Sequence, residues 1–224
     1  MADIITGKGI KRGFTVAGGE TFWALKGIDL TIPEGKLTIL RGKSGSGKTT
    51  LMNILSTLDL PTQGQVLLEQ TDITQLKERE REKLRRNRIG FIFQSVALVP
   101  MMTACENVEF ALRLAGYEGD RKQRAAEALK MLGLGKRLDH LPQELSGGEQ
   151  QRVAIARAIA HKPRVIFADE PTAELDTNTG LQVINIFKSL LESEGVTIVM
   201  TTHDTEIMKL GDKVYQLEDG ELIG

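Results

Sequence analysis

The chain has 224 residues, with 29 Lys and Arg against 30 Asp and Glu, and 41% of its residues are hydrophobic. This composition is typical of a soluble globular domain, and it excludes collagen-like, mucin-like and fully disordered classes. The near-neutral charge also argues against a dedicated nucleic-acid-binding protein, which needs a basic surface for phosphates.

Cysteine content and apolar run length indicate the environment of the chain. Cys105 is the single cysteine, so it forms neither an internal disulfide nor a zinc site. No stretch approaches the roughly 20 apolar residues of a membrane-spanning helix, and no signal-peptide pattern opens the sequence. From these features alone we expect a soluble, cytosolic chain.

The hydrophobic pattern predicts strands that alternate with helices along the chain. Strands are predicted at 28–32, 37–40, 66–68, 165–168 and 196–200, and helices at 49–55, 121–134, 150–160 and 181–192. A C-terminal hairpin is expected around Asp219-Gly220. Because continuous apolar strands alternate with helices, we predict an α/β fold with a parallel sheet covered on both faces.

Residues 77–88 form a charged run with seven basic and three acidic residues. We interpret this segment as a solvated helix face with supporting ion pairs. Contact with a membrane surface is the alternative interpretation.

A glycine-rich loop follows the predicted strand at 37–40. Its residues match the pattern GxxxxGK[ST] of a phosphate-binding loop: Gly42, Lys43, Ser44, Gly45, Ser46, Gly47, Lys48 and Thr49. The helix-forming residues that begin with Thr50 complete the required context, and we include Thr50 in the site. Backbone N–H groups and the helix N-terminus face phosphate oxygens in such loops. We therefore predict a nucleoside triphosphate site, with Lys48 on the β- and γ-phosphates and the Thr49 hydroxyl on Mg²⁺.

Two adjacent carboxylates, Asp169 and Glu170, end the predicted strand at 165–168. Ligands of open α/β sheets bind beyond the carboxyl ends of the strands, so we expect this pair beside the phosphate loop. Successive strand side chains point to opposite faces, and the two carboxylates should therefore have different roles. We predict that Asp169 holds Mg²⁺ and that Glu170 orients or activates the attacking water.

A second glycine pair occurs in the segment Leu145-Ser146-Gly147-Gly148-Glu149-Gln150-Gln151-Arg152. Ser146 followed by Glu149 predicts a capping box at the start of a helix. Glycines are poor helix formers, so helix stability alone does not explain Gly147 and Gly148. Backbone N–H groups at a helix N-terminus suit a second anion contact.

The octapeptide LSGGEQQR at 145–152 is the signature of the ATP-binding cassette family, which the chain resembles from about residue 4 to its C-terminus. This resemblance implies a P-loop NTPase core at about 1–90 and 160–224, with a flanking antiparallel β-subdomain. It also implies a helical subdomain at about 91–159. In that family ATP drives head-to-tail homodimerisation, and each signature loop contacts the γ-phosphate on its partner's phosphate loop. Ser146, Gly147 and Gly148 would then act in trans.

Three further polar residues take their roles from this resemblance. Gln94 resembles the Q-loop glutamine, which senses Mg²⁺ and the γ-phosphate. Asp176 resembles the D-loop aspartate at the dimer interface, although Glu174 departs from the small or Asn residue that is usual before Leu175. His203 resembles the switch histidine that contacts the γ-phosphate.

The family also implies an aromatic side chain that stacks on adenine. Phe14 matches that position, while Phe22 and Trp23 are alternatives that could equally belong to the core. His140 and His161 lack the context of His203, and we interpret them as surface or packing residues.

A transporter subunit is favoured over the other proteins of this family. DNA-repair and chromosome ATPases insert coiled coils or zinc modules between the glycine loops, and translation factors carry two cassettes; this sequence shows none of these. Residues 93–108 are similar to the lipoprotein-release and macrolide-export branch. That similarity implies a separately encoded permease, export or mechanotransmission, and a peripheral position on the cytoplasmic face of the membrane. A non-transport role in DNA repair or cell division is the alternative.

The apolar stretch Val96–Met102, together with Cys105, has two interpretations. It docks the coupling helix of a permease, or it is a buried connector of the helical subdomain.

Overall fold

The computed structural model describes residues 2–223, which pack as two compact units. The first unit contains the described residues up to Arg85 and those from Thr197 onward, and the second unit is Arg86–Val196. The subdomain limits expected from the sequence, at about 91 and 159, stay a prediction.

Strands of two kinds build the first unit. An antiparallel sheet contains β1 (Asp3–Thr15), β2 (Thr21–Pro33), β4 (Gln63–Leu68) and β5 (Thr71–Asp72), in the spatial order β2-β1-β4-β5. Parallel pairing joins β3 (Leu37–Arg41) to β8 (Thr197–Thr201) on one side and to β9 (Lys213–Glu218) on the other. The predicted C-terminal hairpin is confirmed, because β10 (Glu221–Leu222) pairs antiparallel with β9.

Three helices begin in this part of the chain: α1 (Lys48–Leu55), α2 (Glu78–Asn87) and α7 (Thr205–Met208). No residue of α2 is buried, and Glu78 forms ion pairs with Arg81 and Arg85. The interpretation of the charged run as a solvated helix with supporting ion pairs is therefore confirmed.

The second unit combines a parallel strand pair with four α-helices and a short 3-10 helix (Pro142–Glu144). Its strands are β6 (Ile89–Ile92) and β7 (Val165–Ala168), and its helices are α3 (Ala104–Leu114), α4 (Arg121–Met131), α5 (Gly147–Ile159) and α6 (Thr177–Glu194). Helices α3, α4 and α5 pack against one another, with Leu112, Leu129 and Ile155 fully buried. Among residues 2–223, no helix combines the length and apolar character needed to cross a bilayer.

Several elements differ from the sequence prediction: β1, β6 and α3 are among those not predicted, and β2, α5 and α6 begin earlier than predicted. Two of these differences have a physical reason in the structure. Helix α5 begins at Gly147 instead of residue 150, because the Ser146 side chain caps it there. Strand β1 was not predicted, since Gly7, Gly9 and Gly13 interrupt its apolar alternation. Its pairing with both β2 and β4 supplies the stability that its local sequence lacks.

Candidate active site

The phosphate-loop motif connects the end of β3 to the start of α1 in the first unit. Gly47, the residue before α1, has a φ of 102°, a left-handed conformation that favours glycine. A Cβ atom on Gly47 would lie 2.8 Å from the Ala24 carbonyl oxygen and 2.9 Å from Leu25 Cδ2. Strand β2 therefore passes directly over this end of the loop, and only glycine fits there.

Helix α1 differs from other helices of the chain in how it begins. A side-chain oxygen accepts a backbone hydrogen bond at the start of α3, α4, α5 and α6, from Thr103, Asp120, Ser146 and Asp176 respectively. Gly47 offers no such acceptor to α1. The first-turn N–H groups of α1 therefore lack a side-chain cap, which suits a phosphate at this position.

Two polar side chains lie buried within the loop. Lys48 is 7% exposed, and its Nζ donates hydrogen bonds to the carbonyl oxygens of Gly42 and Lys43 at 2.8 and 3.0 Å. Ser46 Oγ is buried and has no hydrogen-bond partner among the described residues. An ammonium group and an unsatisfied hydroxyl inside a glycine cradle fit a polyphosphate ligand.

An open cavity of about 590 Å³ adjoins the phosphate loop, within the size range of ligand sites. Gly42, Lys43, Ser44 and Ser46 line it, together with His203 from the segment after β8. Strands β3 and β8 are parallel, so their carboxyl ends lie at one edge of the sheet. The structure thus places the predicted switch histidine beside the predicted phosphate site.

Aromatic side chains lie at the end of the β1–β2 pair. Phe14 is 40% exposed and pairs across the strands with Phe22, which is exposed as well. Trp23 packs over Gly13 and is partly covered. The Arg12 guanidinium carbon lies 4.6 Å from the centre of the Phe14 ring. Adenine stacking on Phe14 stays a prediction, and an exposed ring is available for it.

Gln94 and Asp169 belong to the second unit, where they follow neighbouring strands. Ile92 pairs with Ala168 in the parallel β6–β7 ladder, and the Asp169 N–H group donates to the Ile92 carbonyl at 2.9 Å. The chain continues from Ile92 to an exposed Gln94 at the same edge. The structure therefore brings these two predicted Mg²⁺ residues to one end of the strand pair.

Glu170 follows Asp169 in an uncommon backbone conformation. Its φ of 44° is in the left-handed region, which few residues other than glycine adopt. The Ala173 N–H group donates to the Glu170 carbonyl at 3.1 Å, so the chain turns here. Conformations of this kind cluster at functional sites, in agreement with the catalytic role predicted for Glu170.

The predicted capping box at the start of α5 is confirmed. Ser146 Oγ accepts a hydrogen bond from the Glu149 N–H group at 3.3 Å, and Glu149 Oε2 accepts one from the Ser146 N–H group at 2.9 Å. Arg137 Nε lies 2.9 Å from Glu149 Oε1. The Arg137 hydrogen bond and the Ser146 N–H group lower the pKa of Glu149 to about 2, so this carboxylate stays ionised near neutral pH.

Arg137 positions the Glu149 carboxylate, a role that could not be predicted from the sequence. The two residues are 12 positions apart, and a contact at that separation produces no periodic pattern. His140 lies beside it, with Nε2 at 3.3 Å from Arg137 Nη1. The His161 ring nitrogen lies 3.1 Å from the Ile89 carbonyl, and burial lowers the pKa of His161. Both histidines are surface or packing residues, as predicted.

The two signature glycines have different surroundings. A Cβ on Gly148 would lie 2.5 Å from Thr179 Cγ2, whereas a Cβ on Gly147 would meet no heavy atom within 4 Å. Thr179 cannot easily turn away, because its hydroxyl and its N–H group both donate to Asp176, the N-cap of α6. The Thr179 hydrogen bonds also lower the pKa of Asp176. Local packing therefore explains why residue 148 is a glycine, but it does not explain the glycine at position 147.

Gly148→Ala is expected to lower the free energy of unfolding by about 1–2 kcal/mol, because its methyl group overlaps Thr179. Gly147→Ala should instead raise it by about 0.5 kcal/mol, since alanine is the better helix former. Urea unfolding followed by circular dichroism measures both changes. The double variant Gly148→Ala/Thr179→Ser keeps the hydroxyl but removes the methyl group, and it should recover the parental value. Equal stabilities of the two single variants would contradict this account.

Comparison with known proteins identifies the chain. A family model described as ABC transporter matches residues 25–173. The chain belongs to the ABC transporter family. It is an ATP-binding cassette of that family, and its enzymatic activity is that of an ATPase.

Relatives of this cassette include uncharacterised proteins and exporters. It is 48% identical to the uncharacterised ABC transporter ATP-binding protein MJ1508 of Methanocaldococcus jannaschii, over 89% of each chain. It is 45% identical to the macrolide export ATP-binding/permease protein MacB of Syntrophobacter fumaroxidans, over 88% of this chain and 28% of that protein.

A solved structure confirms the predicted fold class of the cassette. The structure is the dimeric post-hydrolysis state of the ATP-binding cassette MJ0796 of Methanocaldococcus jannaschii, bound to ADP and Pi. It superimposes with a TM-score of 0.90 at 42% identity, covering 98% of this chain and 97% of that one. The predicted P-loop NTPase core, antiparallel β-subdomain and helical part therefore agree with a known cassette.

The apolar stretch Val96–Met102 lies at the surface of the second unit. Met101 is 90% exposed, so complete burial of this stretch is wrong. Cys105 is buried, and that burial raises the pKa of its thiol to about 11. Cys105 therefore does not contribute to the exposed surface of the stretch Val96–Met102.

Proposed function

We propose that this cassette binds and hydrolyses ATP with Mg²⁺ as a head-to-tail homodimer. We further propose that it drives a separately encoded membrane permease of the export or mechanotransmission type, from the cytoplasmic face of the membrane. The phosphate loop carries this proposal: an uncapped helix start with a buried lysine and an unsatisfied serine hydroxyl. The dimeric MJ0796 cassette with bound ADP and Pi supports the proposed ATP hydrolysis by a dimer.

Lys48 is the main phosphate-binding side chain in this proposal. Its ammonium group now donates to two neutral carbonyl oxygens of the loop. Phosphate oxygens carry charge and accept stronger hydrogen bonds, so the ammonium group should exchange the carbonyls for the β- and γ-phosphates. The backbone of the loop residues and the first turn of α1, including Thr50, would bind the remaining phosphate oxygens.

Thr49, Gln94 and Asp169 are the proposed Mg²⁺ ligands. Their hydroxyl, amide and carboxylate oxygens are donors that Mg²⁺ accepts, usually together with waters and phosphates. Bound Mg²⁺ would neutralise charge on the β- and γ-phosphates. The closeness of the Gln94 and Asp169 segments at one end of the β6–β7 pair supports the assignment of these two residues.

Glu170, His203 and Gln94 are the proposed catalytic residues, and Gln94 would act through its contact with Mg²⁺ and the γ-phosphate. Glu170 would orient the attacking water and take up its proton, and the uncommon left-handed backbone conformation at this residue supports a functional role. His203 would donate a hydrogen bond to the γ-phosphate from the cavity that it shares with the phosphate loop.

The signature residues are proposed to complete the partner's site. Ser146 is exposed, and its capping box fixes the backbone of Gly147 and Gly148. Open space beside Gly147 supports the idea that this glycine serves a neighbour outside its own chain. Asp176, which caps α6 and holds Thr179 against Gly148, would lie at the same dimer interface.

The stretch Val96–Met102, without the buried Cys105, is the proposed docking surface for the permease. Asn107 holds this loop through hydrogen bonds to the backbone of Val99, Met102 and Thr103. Arg157 donates to the carbonyl oxygens of Val96 and Ala97. Because these hydrogen bonds already fix the loop, its apolar side chains lose little conformational entropy when they bind a partner.

The docking surface is tested with Met101→Glu in a tagged chain produced in its native cells. We expect association with the membrane fraction to weaken about ten- to thirtyfold, since a charge replaces an interface anchor. Met131→Glu is the matched control, because Met131 is 50% exposed at the end of α4 and outside the loop. Quantitative immunoblotting of membrane and soluble fractions measures the change. Equal membrane association of both variants would contradict docking through this loop.

A further inference from the structure

An ion pair lies beside the side chain proposed to stack on adenine. We propose that Arg12, held by Asp59, is a positioning residue that fixes the Phe14 ring for stacking on the nucleotide base. This inference rests on the adenine-stacking role of Phe14 in the proposed function.

Arg12 and Asp59 form an ion pair with two points of contact. Arg12 Nε lies 2.9 Å from Asp59 Oδ2, and Arg12 Nη2 lies 3.0 Å from Asp59 Oδ1. This two-point contact fixes the plane of the guanidinium group as well as its location. Asp59 is itself fixed, because its Oδ1 atom also accepts a hydrogen bond from the Leu60 N–H group at 2.8 Å.

Arg12 also contacts the aromatic ring of Phe14. Arg12 and Phe14 are two positions apart on β1, and the guanidinium carbon lies 4.6 Å from the ring centre. A cation at this distance is attracted to the ring and covers one of its faces. Phe14 is nevertheless 40% exposed, so ring surface remains for a base. Phenylalanine has no hydroxyl group with which to anchor itself, and Arg12 supplies the restraint instead.

Hydrogen bonds connect the strand that carries Phe14 to the segment after the phosphate-binding helix. The Gly13 N–H group donates to Thr62 Oγ1 at 3.0 Å, and the Thr62 N–H group donates to the Lys11 carbonyl at 2.8 Å. Asp59 and Thr62 belong to the segment that follows α1, the helix that starts at the phosphate loop. Residues 11–14 are therefore held against the segment that directly follows the phosphate-binding helix α1. These contacts fix the position of the Phe14 ring relative to that helix.

The experiment compares a ligand that has a base with one that lacks it. We expect Arg12→Gln and Asp59→Asn to weaken ADP binding about three- to tenfold, because the ring loses its fixed orientation. Tripolyphosphate has no base, and its affinity should stay within about twofold of the parental value. Isothermal titration calorimetry measures both ligands. Arg12→Lys keeps the charge without the two-point contact and should give an intermediate loss of ADP affinity.

Two further variants separate this role from general damage. Lys8→Gln removes a positive charge from an exposed position on the same strand and should leave both affinities unchanged. In a Phe14→Ala background, Arg12→Gln should have no additional effect on ADP binding.

The outcomes of these titrations separate the positioning role of Arg12 from the adenine-stacking role of Phe14, on which it rests. Weaker ADP binding in Phe14→Ala with parental binding in Arg12→Gln would overturn the role of Arg12 and leave adenine stacking intact. Parental ADP binding in Phe14→Ala would overturn adenine stacking on Phe14 and the role of Arg12 together. Equal losses for ADP and tripolyphosphate in Arg12→Gln would also overturn the inference, since a positioning effect on the ring does not alter phosphate binding.

Discussion

Glu170→Gln is expected to reduce ATP turnover at least about a hundredfold while ATP binding is kept. Glutamine has nearly the same size and shape as glutamate, but its amide group cannot take a proton from the attacking water. Because the two side chains have nearly the same shape, we expect the left-handed backbone conformation at position 170 to be kept. Because ATP is bound but not hydrolysed, this variant should also accumulate as an ATP-bound dimer.

The measurements for this variant are phosphate release, ATP affinity and apparent mass in size-exclusion chromatography with and without ATP. Glu192→Gln is the control, because it makes the same chemical change at an exposed position of α6. The control should hydrolyse ATP at the parental rate. Parental turnover in Glu170→Gln would show that another group positions the water.

The second large effect is expected from Gly147→Asp. The space beside Gly147 is open, and an acidic residue in the first turn of α5 favours the helix, so the isolated chain should fold and bind ATP normally. In a head-to-tail dimer, however, the new carboxylate would face the partner's γ-phosphate. Repulsion between the two negative charges should reduce turnover at least about a hundredfold.

Mixing Gly147→Asp with Lys48→Ala tests whether each site is shared between two chains. Either variant alone should be nearly inactive, because Lys48→Ala damages the phosphate loop of every site. In an equal mixture half of the dimers are mixed, and each mixed dimer has one intact site of two. Turnover should therefore recover to about a quarter of the parental value if each site acts independently.

The control mixture combines Gly147→Asp with Ser146→Ala. Both substitutions lie in the signature loop, so every dimer lacks an intact signature loop and no recovery is expected. Steady-state phosphate release after a period that allows subunit exchange measures both mixtures. Failure of Lys48→Ala to rescue Gly147→Asp under these conditions would contradict sites shared in trans.

The sequence predicts those parts of this cassette in which the interacting residues are close together in the chain. The phosphate-loop pattern lies between a buried strand and a helix, and the Ser146–Glu149 spacing forms the capping box that it predicted. In both cases the interacting groups are close in sequence, so a pattern of a few residues contains most of the information.

Contacts between distant residues could not be predicted in this way. Arg12 and Asp59 are 47 positions apart, and neither belongs to a recognisable motif. Gly148 and Thr179 lie on different helices, so the distinction between the two signature glycines required their packing to be seen. Tertiary packing selects such partners, whereas hydrophobic periodicity reports only which side of an element is buried.

The contact between Gly148 and Thr179 has an evolutionary consequence. A larger side chain at position 148 overlaps the methyl group at position 179, and the hydroxyl at 179 is already committed to Asp176. A lineage that acquires a side chain at 148 therefore gains most from a smaller residue at 179 that retains its hydroxyl. The two positions should covary among related cassettes, whereas Gly147 should vary independently of position 179.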